Sequence, residues 1–437
     1  MTAPSNSSGF NRREFLGSSA RNAAGMAAGM LSLGMANSRS PGPNETLEIG
    51  IIGLGQQGRE LAAELAQTPG VRVSAICDVD VQALAATQHE VHERTGHRPA
   101  IITPHEKLIG RQEIDAVVIA TPDHWHARMA MEACQAGKDV YLEQPVAHSI
   151  AEGQALLQVA TQTRRIVQTG LPQRSGTHFQ SAVNLLHSGE IGRVHLAKAW
   201  AVHRRRSIGK GANTTPPLGV DYDRWLGPAS DRQFQPNRFH QNWPWFWDYG
   251  SGELGLWGVQ LLDVVRWGLN LDLPTRVAAI GGQRVLNDDR ETPDTLTVQY
   301  EFPNVDVIWE HRQWSNRGIE GRTAAAAFYG EHGTLIVDRS GWKVYDGRDG
   351  LFAQTSEIRQ AHLRNWIGCI RTRQTPSADL ATGTRSMLMC HLGNLSSRLG
   401  REVHLDPQTL SFPGDAEANQ LLSSPARSPW ELNSVIC

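Results

Sequence analysis

Short apolar runs alternate with helix-like stretches through the first part of the chain. Leu47–Ile52 is an apolar run of strand length. Gly53-Leu54-Gly55-Gln56-Gln57-Gly58 follows at once, and Glu60–Ala66 then has helical composition. Val71–Ile76 alternates as a second strand and ends at Cys77-Asp78. Asp115–Ala120 reads Asp-Ala-Val-Val-Ile-Ala, the continuous apolar run of a strand buried on both faces. Ala127–Ala136 is helical in composition, and Gly137 stops it. Asp139–Leu142 and Arg165–Gly170 are two further strands. Strands alternating with helices predict a doubly wound parallel sheet, here over residues 45–170.

The pattern changes beyond that point. Arg193–Val202 alternates like a strand, and β-like runs recur at Val277–Ile280, Leu296–Tyr300, Val305–Trp309, Ala325–Tyr329 and Thr334–Val337. Several such strands predict a mostly antiparallel sheet over residues 171–437. Leu254–Leu269 reads as a helix that places Leu256, Gln260 and Asp263 on one face by their i, i+4 and i+3 spacing. The fold class is therefore α/β, with two different sheets in series.

The first 44 residues fit neither pattern. Asn11-Arg12-Arg13-Glu14-Phe15-Leu16 resembles the twin-arginine export motif, and a weakly apolar stretch rich in Ala, Gly and Met follows from Ala23 to Ala36. Gly34-Met35-Ala36 suits cleavage after small residues, and Ser38–Asn44 reads as a linker. The expected destination is the periplasm, or another exported location, reached in the folded state. The stretch is too short and too rich in glycine to span a bilayer, so no integral membrane protein is expected. The 437 residues allow about two or three domains. With 42 basic and 44 acidic residues the formal charge is −2, which gives no electrostatic footprint for nucleic acid. The 5 cysteines form no CxxC pair and predict neither a disulfide framework nor a zinc site. His362, Asp379 and His391 are too scattered to predict a metal.

The candidate chemistry starts at the glycine loop. Strand, Gly53-x-Gly55-x-x-Gly58 and helix occur in dinucleotide-fingerprint order. The first glycine permits a tight turn, the second lets backbone approach a pyrophosphate, and the third allows close helix–strand packing. Gln56 and Gln57 belong to the same loop. Asp78 lies about 20 residues beyond the last glycine, where an acid binds the ribose hydroxyls. Asp80 adds a second negative charge that disfavours a 2′-phosphate, so NAD is expected over NADP. Thr121-Pro122 and Glu143-Gln144-Pro145 follow strands and fall at the carboxyl edge of the sheet, where ligands bind in open α/β folds.

Taken together, Gly53–Gly58, Cys77-Asp78-Val79, Ala120-Thr121-Pro122 with His126, Ala136-Gly137-Lys138, Glu143-Gln144-Pro145, Trp243–Tyr249, Gly258–Trp267 and His391–Asn394 resemble the Gfo/Idh/MocA oxidoreductase family, and a secreted bacterial branch of it. The resemblance covers Leu47–Leu432. It implies an NAD-binding Rossmann domain, then an α/β domain with a large open sheet, one face of which closes over the nicotinamide. It also implies a Lys inside Glu-Lys-Pro and a His on a helix of the second domain. Those positions are Gln144 and Gln260 here, and an amide cannot take up or release a proton near neutral pH. The Asp that precedes the His by one turn in some members is Leu256, while Asp263 is retained.

Proton transfer, if it occurs, needs another group. His240, Tyr249, Lys210 and Asp263 are the candidates beside the Gln144 and Gln260 slots. Lys210 belongs to the basic stretch Val202–Lys210. Gln173, Arg174, Asp248 and Tyr249 are the expected sugar-binding residues. The aromatic run Asn237–Tyr249 offers faces for sugar C–H groups, although each Trp alone is more simply read as core. Two functions follow. One is an exported enzyme acting on a sugar or glycoside with an NAD that stays bound and is recycled. The other is a non-catalytic nucleotide- and sugar-binding protein that keeps the fold. Assembly into a homo-oligomer is a further expectation.

Overall fold

The computed structural model describes residues 46–345, 352–354 and 357–431. Arg12-Arg13 and Gly34-Met35-Ala36 lie outside the described residues. Leu47–Cys437 forms one compact unit.

Six parallel strands form the first sheet: β1 (Leu47–Ile52), β2 (Val71–Cys77), β3 (Ala100–Ile101), β4 (Ala116–Ile119), β5 (Asp139–Leu142) and β6 (Val167–Thr169), in the order β3-β2-β1-β4-β5-β6. This is the strand order of a Rossmann fold. Every residue of β4 and β5 is buried, because helices cover both faces. The register matters for function. Ile52 pairs with Cys77 on one side and Ile119 on the other. Ile119 pairs with Leu142, and Leu142 with Thr169. The residues that follow, Gly53, Asp78, Ala120, Glu143 and Gly170, therefore stand in one row along the carboxyl edge. Helices start closer to this row than composition predicts. One runs Gln56–Ala66 and another Asp123–Gln135, the latter directly after Thr121-Pro122.

The second sheet has nine strands: β7 (Val194–Val202), β8 (Arg276–Gly282), β9 (Thr295–Phe302), β10 (Val305–Arg312), β11 (Ala324–Gly330), β12 (Thr334–Asp338), β13 (Gly341–Tyr345), β14 (Phe352–Gln354) and β15 (Val403–His404). Their order is β14-β13-β12-β11-β7-β10-β9-β8-β15. Only β7 and β10 pair in parallel. β9 alternates buried and exposed positions, as expected when one face is covered and the other is wet. The helices Val259–Leu269 and Leu380–Leu399 cover the buried face. A π-helical turn, Leu254–Gly258, precedes Val259–Leu269, so the predicted helix is continuous but locally widened. β3, β13, β14 and β15 escaped prediction. β3 is only two exposed residues.

The two sheets are interlocked. Helix Ile358–Thr372 comes late in the chain, yet its Leu363, Trp366, Ile367 and Ile370 pack with Ile49 and Ile51 of β1. A polar seam ties the halves at a second point. The Ser251 hydroxyl donates to Asp123 Oδ2 at 2.6 Å, and Asn394 Nδ2 donates to the Ser251 carbonyl at 2.9 Å. Asp123 is fully enclosed, and burial pushes its carboxyl up to about 8 despite the Ser251 bond. His124 is buried and His148 half-buried nearby, and desolvation pushes them down to about 4 and about 3.

This seam makes stability depend on pH with a calculable sign. Between its unfolded value of 3.8 and its folded value of about 8, Asp123 holds a proton in the folded state and not in the unfolded one. Stability therefore falls as pH rises through that window. The two histidines act in the opposite sense, but only below their unfolded value of 6.5. Between pH 6.5 and 8 the Asp123 contribution stands clear of them. Raising the pH from 6.5 to 8.5 should cost on the order of 2 kcal/mol through this group. Asp123→Asn, whose amide oxygen still accepts from Ser251, should abolish that loss. Denaturant melts at the two pH values check it; equal pH slopes in the two proteins reject the assignment.

Candidate active site

The glycine loop is built around a contact that admits no side chain. Gly53 has φ +87°, and a Cβ there would lie 2.7 Å from the Ala120 carbonyl. A Cβ on Gly58 would lie 1.8 Å from the Gly53 oxygen. These two glycines let the helix start against β1. Gly55 is different: a Cβ there meets nothing within 4 Å, because the residue faces a cavity.

That cavity, of about 1070 Å³, runs along the carboxyl edge of β1, β2 and β4. Gly53, Gly55, Gln56, Gln57, Asp78, Thr121 and Pro122 all line it, as the fingerprint requires. Asp78 is held in place from behind. Its Oδ2 accepts from the Leu54 amide at 2.6 Å and its Oδ1 from the Asp80 amide at 2.9 Å. Burial raises its carboxyl above the ordinary carboxylate value. The opposite wall comes from the second half of the chain. Gly219–Asp221 forms a strap across the end of β2: the Val81 amide donates to the Gly219 carbonyl at 3.1 Å and the Asp221 amide to the Val79 carbonyl at 2.9 Å. His240 joins this wall and contacts Asp80 Oδ2 at 3.0 Å through Nε2. The strap and His240 close the end beside Asp78, where an adenosine would lie.

A second cavity of about 540 Å³ adjoins the first, sharing Gln57, Ala120, Thr121, Trp243 and Leu256 with it. Glu143, Gln144 and Gln260 line it. Glu143 is buried, its Oε1 accepting from Gln57 Nε2 at 2.9 Å and its Oε2 from the Gln144 amide at 3.3 Å. Desolvation raises its carboxyl, against those two bonds. The two substituted slots meet at one atom: Gln144 Nε2 and Gln260 Nε2 each donate to the Leu256 carbonyl at 3.1 Å. Gln260 Oε1 accepts from Gln173 Nε2 at 2.8 Å and from Arg339 Nη2 at 2.7 Å. Gln144 Oε1 and Thr121 Oγ1 are buried with no hydrogen-bond partner among the described residues. Two orphaned polar atoms beside an open glycine loop suit a polar ligand that spans both cavities, and a dinucleotide has that form.

Among the expected acid/base residues, only Gln144 and Gln260 line the second cavity, and neither titrates. Asp263 is fully buried behind them, where it accepts from Arg174 Nε at 2.7 Å, Arg174 Nη2 at 3.0 Å and Ser386 Oγ at 2.7 Å. Arg174 is thereby spent on an ion pair, and Gln173 on Gln260, so both position the helix Val259–Leu269 without lining either cavity. His240 stands at the Asp78 end, against Asp80. Tyr249 is fully buried in an aromatic cluster with Trp225 and His124, and burial raises its hydroxyl well above the ordinary phenol value. Asp248 is paired with Arg232 at 2.6 Å. Lys210 is exposed and lines neither cavity. His126 lines the second cavity, but its ring nitrogens lie 2.6 Å from the Pro145 carbonyl and 2.8 Å from the Thr121 carbonyl. It ties the ends of β4 and β5 together. Most of the aromatic run is core, as Phe239, Trp245 and Phe246 show, while Trp243 faces both cavities.

Sequence reasoning passed over Arg339 and the Gly219–Asp221 strap, and it named Trp243 only as part of the aromatic run. The strap carries a turn signal in Leu218-Gly219, and Arg339 carries none, since it is one polar residue at a hairpin tip.

Residues 47–171 match the oxidoreductase-family NAD-binding Rossmann fold of Gfo/Idh/MocA proteins, and residues 207–432 match that family's C-terminal alpha/beta domain. The chain belongs to the Gfo/Idh/MocA oxidoreductase family. It is 30% identical over 214 residues to a glycosyl hydrolase family 109 protein of Shewanella pealeana, a match covering 45% of this chain and 47% of that one. A glycosyl hydrolase family 109 protein of Saccharopolyspora erythraea is 28% identical over 222 residues, covering 47% and 48%. The chain thus spans about half the length of the curated relatives it matches. Among solved structures, aldose-aldose oxidoreductase from Caulobacter crescentus, complexed with glycerol, superposes with a TM-score of 0.65 at 18% identity, over 82% of this chain and 100% of that one. Levoglucosan dehydrogenase, complexed with NADH and levoglucosan, gives 0.63 at 18%, over 82% and 99%. These likenesses establish the fold. No helix among the described residues is long and apolar enough to cross a membrane, and no group of His, Cys, Asp and Glu among them is arranged to hold a metal.

Proposed function

We propose that the protein is an exported enzyme that acts on a sugar or glycoside with an NAD that remains bound between turnovers. One observation carries the reading: the Gly219–Asp221 strap is hydrogen-bonded across the end of β2, so the cavity beside Asp78 is walled by both halves of the chain. A nucleotide seated beside Asp78 would lie against this strap, which favours its retention. Retention suits a location where free nucleotide is scarce. Gly53–Gly58 would hold the pyrophosphate, Asp78 the ribose, and Thr121, Glu143 and Gln144 the nicotinamide end. Asp78 and Asp80 favour NAD over NADP.

Held by Thr121, Glu143 and Gln144, a nicotinamide would supply a hydride acceptor for a sugar carbinol and a donor for its return. Gln144 and Gln260 orient the sugar through the Leu256 carbonyl and the free Gln144 oxygen, without carrying a proton. The buried Glu143 and the substrate's own hydroxyls are the remaining groups at that end. Oxidation of one carbinol would acidify the neighbouring C–H; loss of that proton together with the glycosidic substituent as its free alcohol, addition of water to the resulting alkene and return of the hydride would complete a hydrolysis with no net redox change, and the relatives named as glycosyl hydrolases make this the preferred outcome over net oxidation. The test is direct. The purified, unfolded protein should release about one NAD per chain, seen by mass analysis. A panel of glycosides should be cleaved with no net change in nicotinamide absorbance. NAD release without turnover of any glycoside favours the second reading, a non-catalytic binding protein, which the two glutamines support.

Export rests on Arg12-Arg13. Replacing both with Lys should leave the protein in the cytoplasm, and cell fractionation reads the outcome. Normal appearance outside the inner membrane rejects the twin-arginine route.

A further inference from the structure

The second cavity is lined by a cation with no carboxylate at ion-pair distance among the described residues. Arg339 sits at the tip of the hairpin between β12 and β13 and lines that cavity. Its one hydrogen bond among the described residues runs from Nη2 to Gln260 Oε1 at 2.7 Å. Its Cζ lies 4.8 Å from the centre of the Trp257 ring, which holds the guanidinium plane in position.

The neighbouring acids are committed elsewhere. Asp338, next in the chain, accepts from Arg322 Nη1 at 2.6 Å and from the Ser340 amide at 2.7 Å. Glu143 is bonded to Gln57 and to the Gln144 amide. Glu64 and Glu60 are paired with Arg359, the other guanidinium on the cavity. Glu357 is on the same rim and makes no ion pair with Arg339 among the described residues. The hairpin tip is therefore anchored while the guanidinium keeps most of its five donors unused. Arg339 is exposed, so these donors are open to solvent and to a planar anionic acceptor that enters the cavity.

We propose that Arg339 binds a carboxylate of the substrate, so that the sugar is a uronic acid or a uronic-acid glycoside. The inference rests on the reading of this cavity as the sugar site. One free guanidinium, with Arg359 already neutralised, matches a monoanion better than a phosphate dianion. The remaining wall suits the rest of such a sugar. Trp243 supplies an apolar face, and the unpartnered Gln144 oxygen accepts a hydroxyl proton. Replacing Lys and His by two neutral amides removes other cations from the site and leaves Arg339 to fix the orientation of an acid.

The experiment uses the purified protein with its nucleotide and reads binding by calorimetry, independent of turnover. The probes are the methyl glycosides of glucuronic, galacturonic and mannuronic acid, each beside its neutral parent, with glucose 6-phosphate as a further arm. At least one uronide should bind about tenfold to hundredfold more tightly than its parent. Arg339→Met should remove that preference and leave the nucleotide content unchanged, and any weakening of the neutral parent through the lost Gln260 bond should be smaller than that of the uronide. Arg339→Lys should restore part of the preference.

Equal binding of uronide and parent overturns this inference alone and leaves the sugar-site reading standing. So does tighter binding of the phosphate, or loss of nucleotide from Arg339→Met, which would assign the guanidinium to the cofactor. Failure of every sugar to bind overturns both readings.

Discussion

A chain carrying Gly55→Val folds normally and comes through purification without nucleotide. The two halves of that expectation have separate causes. Gly55 has φ −62° and ψ −171°, a conformation open to any residue, and a Cβ on it meets no protein atom within 4 Å. The fold therefore loses little. The space the side chain enters is the cavity at the start of helix Gln56–Ala66, where no side chain caps the helix and its free amides face outward. Valine methyls there occupy the path of a pyrophosphate. Retained NAD should drop by at least about a hundredfold, equivalent to about 3 kcal/mol. The same substitution at Gly58 is not equivalent, because a Cβ 1.8 Å from the Gly53 oxygen breaks the helix–strand contact itself. Thermal melts and mass analysis of released nucleotide separate the two effects. A folded Gly55→Val protein with unchanged NAD content rejects the fingerprint reading.

The contrast between these glycines shows why the first half of the site was legible in the sequence. Strand, loop and helix follow one another within a few residues there, so local pattern and three-dimensional contact coincide. Ile49 and Ile51, buried on β1, carry their strand identity in the chain itself. The row Gly53, Asp78, Ala120, Glu143 and Gly170 needed only the parallel register to assemble. The second half of the site is made by contacts distant in sequence. Asp263 looked available from helix spacing, but Arg174, 89 residues away, takes both its oxygens. Tyr249 sits beside a glycine turn and is nonetheless enclosed by Trp225 and His124. His240 reaches the cofactor cleft, at the opposite end from the one expected of a proton carrier. Arg339 was invisible because nothing in a hairpin Asp-Arg-Ser distinguishes a solvent-facing arginine from one aimed over Trp257 into a cavity. Periodicity reports which face of an element is apolar. It cannot report which polar group on the other face is already paired.

Restoring the two titrating groups should give this chain an activity it otherwise lacks. Gln144→Lys with Gln260→His places an ammonium and an imidazole where the family resemblance expects them. The positions are compatible, since both amides already converge on the Leu256 carbonyl, and Gln173 remains able to donate to a ring nitrogen in place of Gln260 Oε1. General acid–base help of this kind is worth about 10²–10⁴-fold. The unmodified protein should therefore form little reduced nicotinamide from free neutral or acidic sugars. The double variant should form it at a rate higher by about that factor, and by more than either single change, because one group must accept the hydroxyl proton while the other orders the carbinol. The gain should rise with pH as the new base loses its proton, whereas any activity of the unmodified chain keeps a different profile. Steady-state formation of reduced nicotinamide over a sugar panel at several pH values makes the comparison. The nucleotide content of each variant should be measured alongside, since an empty site gives no rate for another reason. Strong dehydrogenase activity in the unmodified protein, undiminished by Gln144→Ala, would mean that proton transfer runs through neither slot and that the two glutamines are not what sets this chain's chemistry apart.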